Sequence, residues 1–302
     1  MKESGSKDRN DATNGMSFSA TTEHQHAGSG NGRSDGDDHF GRREIITPSQ
    51  VFTGARIPVA TEVVDVVAIQ RGTSDPDRVI VITGHHNSRA SNEIDSTIDA
   101  PGANDDASSV AAVIEAARVL SKHKFAATAL SGEEQGLYGG KVLAAFAKEK
   151  GWRVEANPNN DIVGNTLGLS GVRDNVARGR VGDTIEFVDF PYLAQVTRLN
   201  VLAMASMANA PPPPSGVAVE GAVSPNTTLR WQPQPGVAYR AWWRGTTDPM
   251  WQYQRPVGTD DAKAGRIRLD NIVIDDWFFG VSSISSDGWE SPVVFPGDPG
   301  SF

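Results

Sequence analysis

The sequence has 302 residues, enough for two domains with cores of their own, and a formal net charge of -9, which argues against non-specific nucleic-acid binding because that needs a basic face. It contains no cysteine, so neither a disulfide framework nor a thiolate metal site is available, and any metal falls to His, Asp and Glu. No stretch approaches the roughly 18 apolar residues of a membrane span, and the N-terminal segment has no apolar core of the kind a signal peptide needs.

Residues 1–44 are rich in Gly, Ser, Asn and Asp and carry almost no large apolar side chains. They cannot bury enough surface to offset the entropy of ordering, which predicts a disordered tail with His24 and His26 as solvated side chains. From Ile45 the texture changes. Residues 61–72 alternate and are β-branched, the pattern of a strand. Residues 77–86 form a continuous apolar run ending in Gly-His-His, which suits a buried strand of a covered sheet. Residues 106–124 have helical periodicity, with Val110, Val113, Ile114, Ala117 and Leu120 on one face. Residues 125–136 predict a short, weak strand, because "FAATAL" lacks the large side chains of a central strand. A second helix over 137–151 is closed by Gly151, and 154–166 is a strand or strand end. Residues 189–210 predict an amphipathic helix with Pro191 in its first turn.

Strands alternating with helices indicate an α/β fold with a mostly parallel sheet sandwiched by helices. After "APPPPSG" (210–216), which reads as a stiff linker, the alphabet shifts to short alternating segments parted by Pro, Gly, Asn and Asp turns. That predicts a small all-β sandwich over 211–302, with Trp231, Trp242, Trp243 and Trp277 in its core. The expected organisation is a tail over 1–44, an α/β domain over 45–210 and the β-sandwich over 211–302.

In α/β sheets ligands collect at the carboxyl ends of strands, and His85, Glu133, Glu134 and Asp161 each fall at or just after a predicted strand end. Paired-metal hydrolysis requires a bridging carboxylate, terminal His, Asp or Glu ligands and a free carboxylate as general base. Taken in order, "ITGHHNS", "APGANDDASS", "LSGEEQGLYGG" and "NNDIVGN" resemble the motifs of the co-catalytic zinc aminopeptidase family, the bacterial leucyl-aminopeptidase type. The resemblance spans residues 61–166, with 182–208 similar to that family's closing segment; the C-terminal segment looks like a fibronectin type III module.

The resemblance implies that Asp105 bridges two zinc ions, that His85 and Asp161 complete one site, that Glu134 holds the other ion together with a late histidine, and that Glu133 is the general base. The implied substrate is a peptide with a free N-terminus, and such enzymes are usually exported. Four departures stand out. Asn87 takes the place of the family's Asp beside the ligand histidine, a change of charge next to a metal ligand that typically costs about 10–100-fold in affinity or activity. No histidine follows His123, so Glu134 lacks its implied partner. The region 165–181 is too short for the family's further strands and pocket walls. The strand before Glu133 is poor. Two alternatives stay open: a catalytically impaired relative binding one zinc through His85, Asp105 and Asp161, and a binding protein acting through the C-terminal sandwich.

Overall fold

A computed structural model describes residues 43–70, 77–90, 92, 94–95, 97–120, 125–166, 183–221 and 224–297. The expected tail, with His24 and His26, and most of the shortened region near 165–181 lie outside the described residues. The chain divides into two compact units, the first built mainly on residues before Leu193 and the second including Ala194–Phe302.

In the first unit, β1 (Arg43–Ile46), β4 (Val66–Gln70), β6 (Phe125–Leu130), β5 (Arg78–His85) and β7 (Arg153–Ala156) form one sheet in the order β1-β4-β6-β5-β7. β5 pairs in parallel with both β6 and β7, whereas β1 and β4 are antiparallel. The sheet therefore contains both parallel and antiparallel pairs. Between β1 and β4 the chain turns back through a hairpin of β2 (Ser49–Gly54) and β3 (Ile57–Val64), and no crossover helix intervenes to force a parallel return. The strand expected over 61–72 is split between β3 and β4 at Asp65.

β5 is buried along nearly its whole length, as its unbroken apolar run requires. Its alternate residues serve opposite faces. Val79 and Val81 pack with Leu143 and Phe146 of helix α2 (Tyr138–Glu149). On the other face Gly84 meets helix α1 (Ala107–Val119) so closely that a Cβ there would lie 2.7 Å from Ser109 Cβ. That approach explains a correction to the expected face of α1. Ser108, Ser109, Ala112, Val113, Ala116 and Leu120 are buried, while Ile114 is 63% exposed, because a helix pressed this close takes small side chains inward. The same logic accounts for β6. Ala126 and Ala127 are buried in the core, and small residues suffice where neighbours already fill the space. α2 ends at Gly151, whose φ of +64° no side chain favours. Helix α3 (Phe190–Asn209) starts from Asp189, whose Oδ1 accepts the Tyr192 N–H at 3.0 Å.

The second unit holds two three-stranded antiparallel sheets. One is β12-β9-β8, from β8 (Ser215–Glu220), β9 (Thr227–Gln232) and β12 (Arg266–Leu269); the other is β11-β10-β13, from β10 (Ala238–Gly245), β11 (Tyr253–Pro256) and β13 (Trp277–Ile284). They share a core of Val217, Leu229, Trp231, Tyr239, Trp243, Phe279 and Val281 among others, so a later all-β region follows the α/β region. The Pro212 carbonyl accepts hydrogen bonds from Ser283 Oγ and Gln234 Nε2, so the expected linker is tied to the strands rather than free of them. Trp231 and Trp243 are buried, but Trp242 and Trp277 are only partly so. β10 alternates, so Trp242 leaves the core for the outer face, where it meets Trp251 at 6.4 Å and Arg240 at 5.5 Å.

Between β3 and β4, Asp65 is fully buried. Its Oδ1 accepts the Ser131 N–H at 2.9 Å, and its Oδ2 has no hydrogen-bond partner. Burial pushes its pKa from 3.8 up to about 7, only partly offset by the Ser131 bond. A folded pKa above the unfolded one means that this stability is fully present below pH 3.8 and is lost as pH rises through about 7. Asp65→Asn is expected to flatten the fall in urea midpoint across that window relative to the parent; an unchanged slope would contradict the assignment.

Candidate metal centre

The sheet delivers the predicted residues from four places. His85 ends β5, Asp105 lies in the turn before α1, Glu133 and Glu134 follow β6, and Asp161 follows β7. His85 Nε2 lies 3.2 Å from Asp105 Oδ1, 3.9 Å from Asp161 Oδ1 and 3.9 Å from Glu133 Oε2. Among the described residues, His85, Asp105 and Asp161 are the group whose donor atoms all lie within 4.8 Å of one another. Glu134 stands outside that group, its Oε2 2.8 Å from Arg89 Nε.

The imidazole is set for a ligand on Nε2. Its Nδ1–H donates to the Asn87 carbonyl at 2.9 Å, since a carbonyl can only accept, and this turns Nε2 toward the carboxylates, 3.2 Å from Asp105 Oδ1. It is the Asn87 main chain, not its side chain, that meets the ring. The side chain does something else. Its Oδ1 accepts the Glu133 N–H at 3.2 Å and its Nδ2 donates to Gln135 Oε1 at 3.2 Å, which fixes the Glu133 loop against the end of β5.

Two carboxylates missed in the sequence hold this arrangement. Asp106, buried beside Asp105, accepts the His85 N–H at 3.0 Å, the Ile162 N–H at 3.3 Å, and the hydroxyl and N–H of Ser109. It joins the end of β5, the start of α1 and the Asp161 loop. Asp183 accepts the N–H groups of Asn104 and Asp105, each at 2.8 Å. Asn104 Oδ1 in turn accepts the Gly164 N–H at 2.7 Å, and a Cβ at Gly164 would lie 2.8 Å from that oxygen. Acceptors for backbone N–H groups carry no periodic sequence signal; the one hint was the doubled Asp in "GANDDAS".

The electrostatics follow from crowding carboxylates in a half-buried space. Burial lowers the His85 pKa, but Asp105, Asp161, Asp106 and the Asn87 carbonyl outweigh it and push the imidazole up to about 11. Burial raises Asp106 to about 6, against the hydrogen bonds it accepts, and raises Asp183. Burial also raises Glu134 to about 7, with Asp105 and Glu133 adding to the rise and Arg89 opposing it. Such a cluster favours a cation. One imidazole nitrogen and two carboxylate oxygens, with no sulfur, are donors that suit zinc with a position left open. Beside them lies a cavity of ≈ 490 Å³ between the sheet and α2, with His85, Glu133 and Asp161 at one end and Leu130, Leu143 and Trp152 along its walls.

A His–carboxylate cluster at the carboxyl edge of a covered α/β sheet, with a further carboxylate beside it, is a donor set that could hold the metal ion of a hydrolase. The chain belongs to peptidase family M28, whose family model matches residues 65–177. It is 31% identical to a probable zinc metalloprotease of Leptosphaeria maculans, over 86% of this chain and 84% of that one, and 29% identical to one of Pyricularia oryzae, over 85% and 72%. The first of these alignments runs over 365 positions, more than the 302 residues of this chain, so that relative carries segments with no counterpart here. Among solved structures, LapB from Legionella pneumophila matches 53% of this chain and 60% of its own at 16% identity, with a TM-score of 0.39.

Asp183→Ala would leave the Asn104 and Asp105 N–H groups without acceptors. The expected result is a loss of about 1–3 kcal/mol in stability and about 10–100-fold in metal affinity, read by urea denaturation and metal titration. Unchanged values in both would show that Asp183 does not hold the Asp105 turn.

Proposed function

We propose that the chain is a zinc-dependent peptidase of aminopeptidase type, hydrolysing the N-terminal bond of a peptide with a free amino group. The observation that carries this reading is the convergence of His85, Asp105 and Asp161, with Glu133 alongside, in a chain belonging to a peptidase family. Zinc held by His85, Asp105 and Asp161 would supply a Lewis acid that polarises the scissile carbonyl and makes bound water acidic enough to attack.

The chain's own residues account for the rest. The Asn87 carbonyl keeps the proton of His85 on Nδ1, so that Nε2 stays available as a donor. Asn87 Oδ1 anchors the Glu133 main chain, which brings the Glu133 carboxylate to 3.9 Å from His85 Nε2. Glu133 is not in the ligand group, so its carboxylate is available to take a proton from the attacking water and return it to the leaving amine. The apolar walls of the adjoining cavity would seat a substrate side chain and exclude water from it. The C-terminal β-sandwich we assign as a fibronectin type III-like module spanning 211–302, on its two antiparallel sheets with a common core.

Glu133→Gln keeps the shape of the side chain and removes the base. It is expected to retain zinc and to lose about 10²–10⁴-fold in kcat on an aminoacyl chromogenic substrate. His85→Ala is expected to lose zinc itself. Full activity in Glu133→Gln would remove Glu133 from its role, and zinc retained in His85→Ala would remove the centre from where it is placed.

A further inference from the structure

Resemblance to co-catalytic enzymes implies two metal ions, with Glu134 holding the second; the structure disagrees. Glu134 lies outside the ligand group and is engaged by arginines from two sides. Arg89 Nε meets its carboxylate at 2.8 Å, and Arg56 Nη1 donates to its main-chain carbonyl at 2.9 Å. The Glu134 side chain is only 11% exposed, so its contact with Arg89 is poorly screened. Among the described residues, His85 is the one histidine that belongs to a ligand cluster; His86 instead meets the Val64 carbonyl. A divalent ion bound at Glu134 would have to settle beside a guanidinium that stays charged at every working pH.

We infer that Arg89 stands in for a second metal ion, neutralising Glu134 with a fixed positive charge and leaving the centre mononuclear. This rests on the proposed zinc site at His85, Asp105 and Asp161. It gives Glu134 a structural partner instead of a ligand role. It also gives Arg89, four residues beyond the strand end that supplies His85, a task that its sequence position alone does not reveal.

The test is zinc stoichiometry of the full chain, by calorimetric titration together with elemental analysis after gel filtration. The parent protein is expected to bind one equivalent, and Arg89→Lys, which keeps the charge, also one. Arg89→Met is expected to take up a second equivalent at least tenfold weaker than the first, and Arg89→Met/Glu134→Gln to lose it again. Two equivalents in the parent would overturn the inference whatever the variants do, as would a single equivalent in a folded Arg89→Met. Failure of the underlying zinc site has a different signature: no equivalent in the parent, or one that survives His85→Ala.

Discussion

The Asp106 carboxylate organises the site without belonging to the ligand group. One oxygen accepts the N–H of His85 at the end of β5; the other serves Ser109 in the first turn of α1 and Ile162 in the loop after β7. Those are the segments that bring in His85, Asp105 and Asp161. Each is a strand end, helix start or loop with a backbone donor that would otherwise go unpaired in a buried place, and an unpaired buried donor costs about 1–3 kcal/mol. Satisfying several of them with one carboxylate makes the positions of the three ligands interdependent. Asp183 does the same for the turn that carries Asp105, and Asn104 links that turn to Gly164.

Close packing beneath the site serves the same end. Gly84 lets α1 lie against β5, and the helix answers with Ser109, Ala112 and Ala116 in place of larger side chains. Ile114 is left outside as a consequence. The relative from Leptosphaeria maculans has segments without counterparts here.

The legible part of the sequence was the order of strand ends. A buried apolar run stopping at His85 and a strand leading to Asp161 placed those two residues at one sheet edge, because parallel neighbours in a sheet present their carboxyl ends together, while Asp105 was singled out by the resemblance of its motif. The supporting atoms were not legible. Asp106, Asp183 and the Asn87 carbonyl act on backbone N–H groups or on a ring proton, and such bonds connect positions up to 79 residues apart with no periodicity to betray them. The pairing of Arg89 with Glu134 is hidden for the same reason: two charged residues far apart in sequence read as solvated until the fold closes around them. The direction of β1 and the outward turn of Trp242 depend on which strand pairs with which, and alternation alone does not fix that.

In the proposed centre, one imidazole and two carboxylates hold a zinc ion at the carboxyl edge of the sheet. The most direct measurement is X-ray absorption at the zinc edge of the metal-loaded protein. The expected result is a first shell of nitrogen and oxygen at about 2.0–2.2 Å, with the outer-shell scattering of a single imidazole and no metal–metal vector. Scattering from two or more imidazoles, or a second zinc at about 3.5–4 Å, would contradict it.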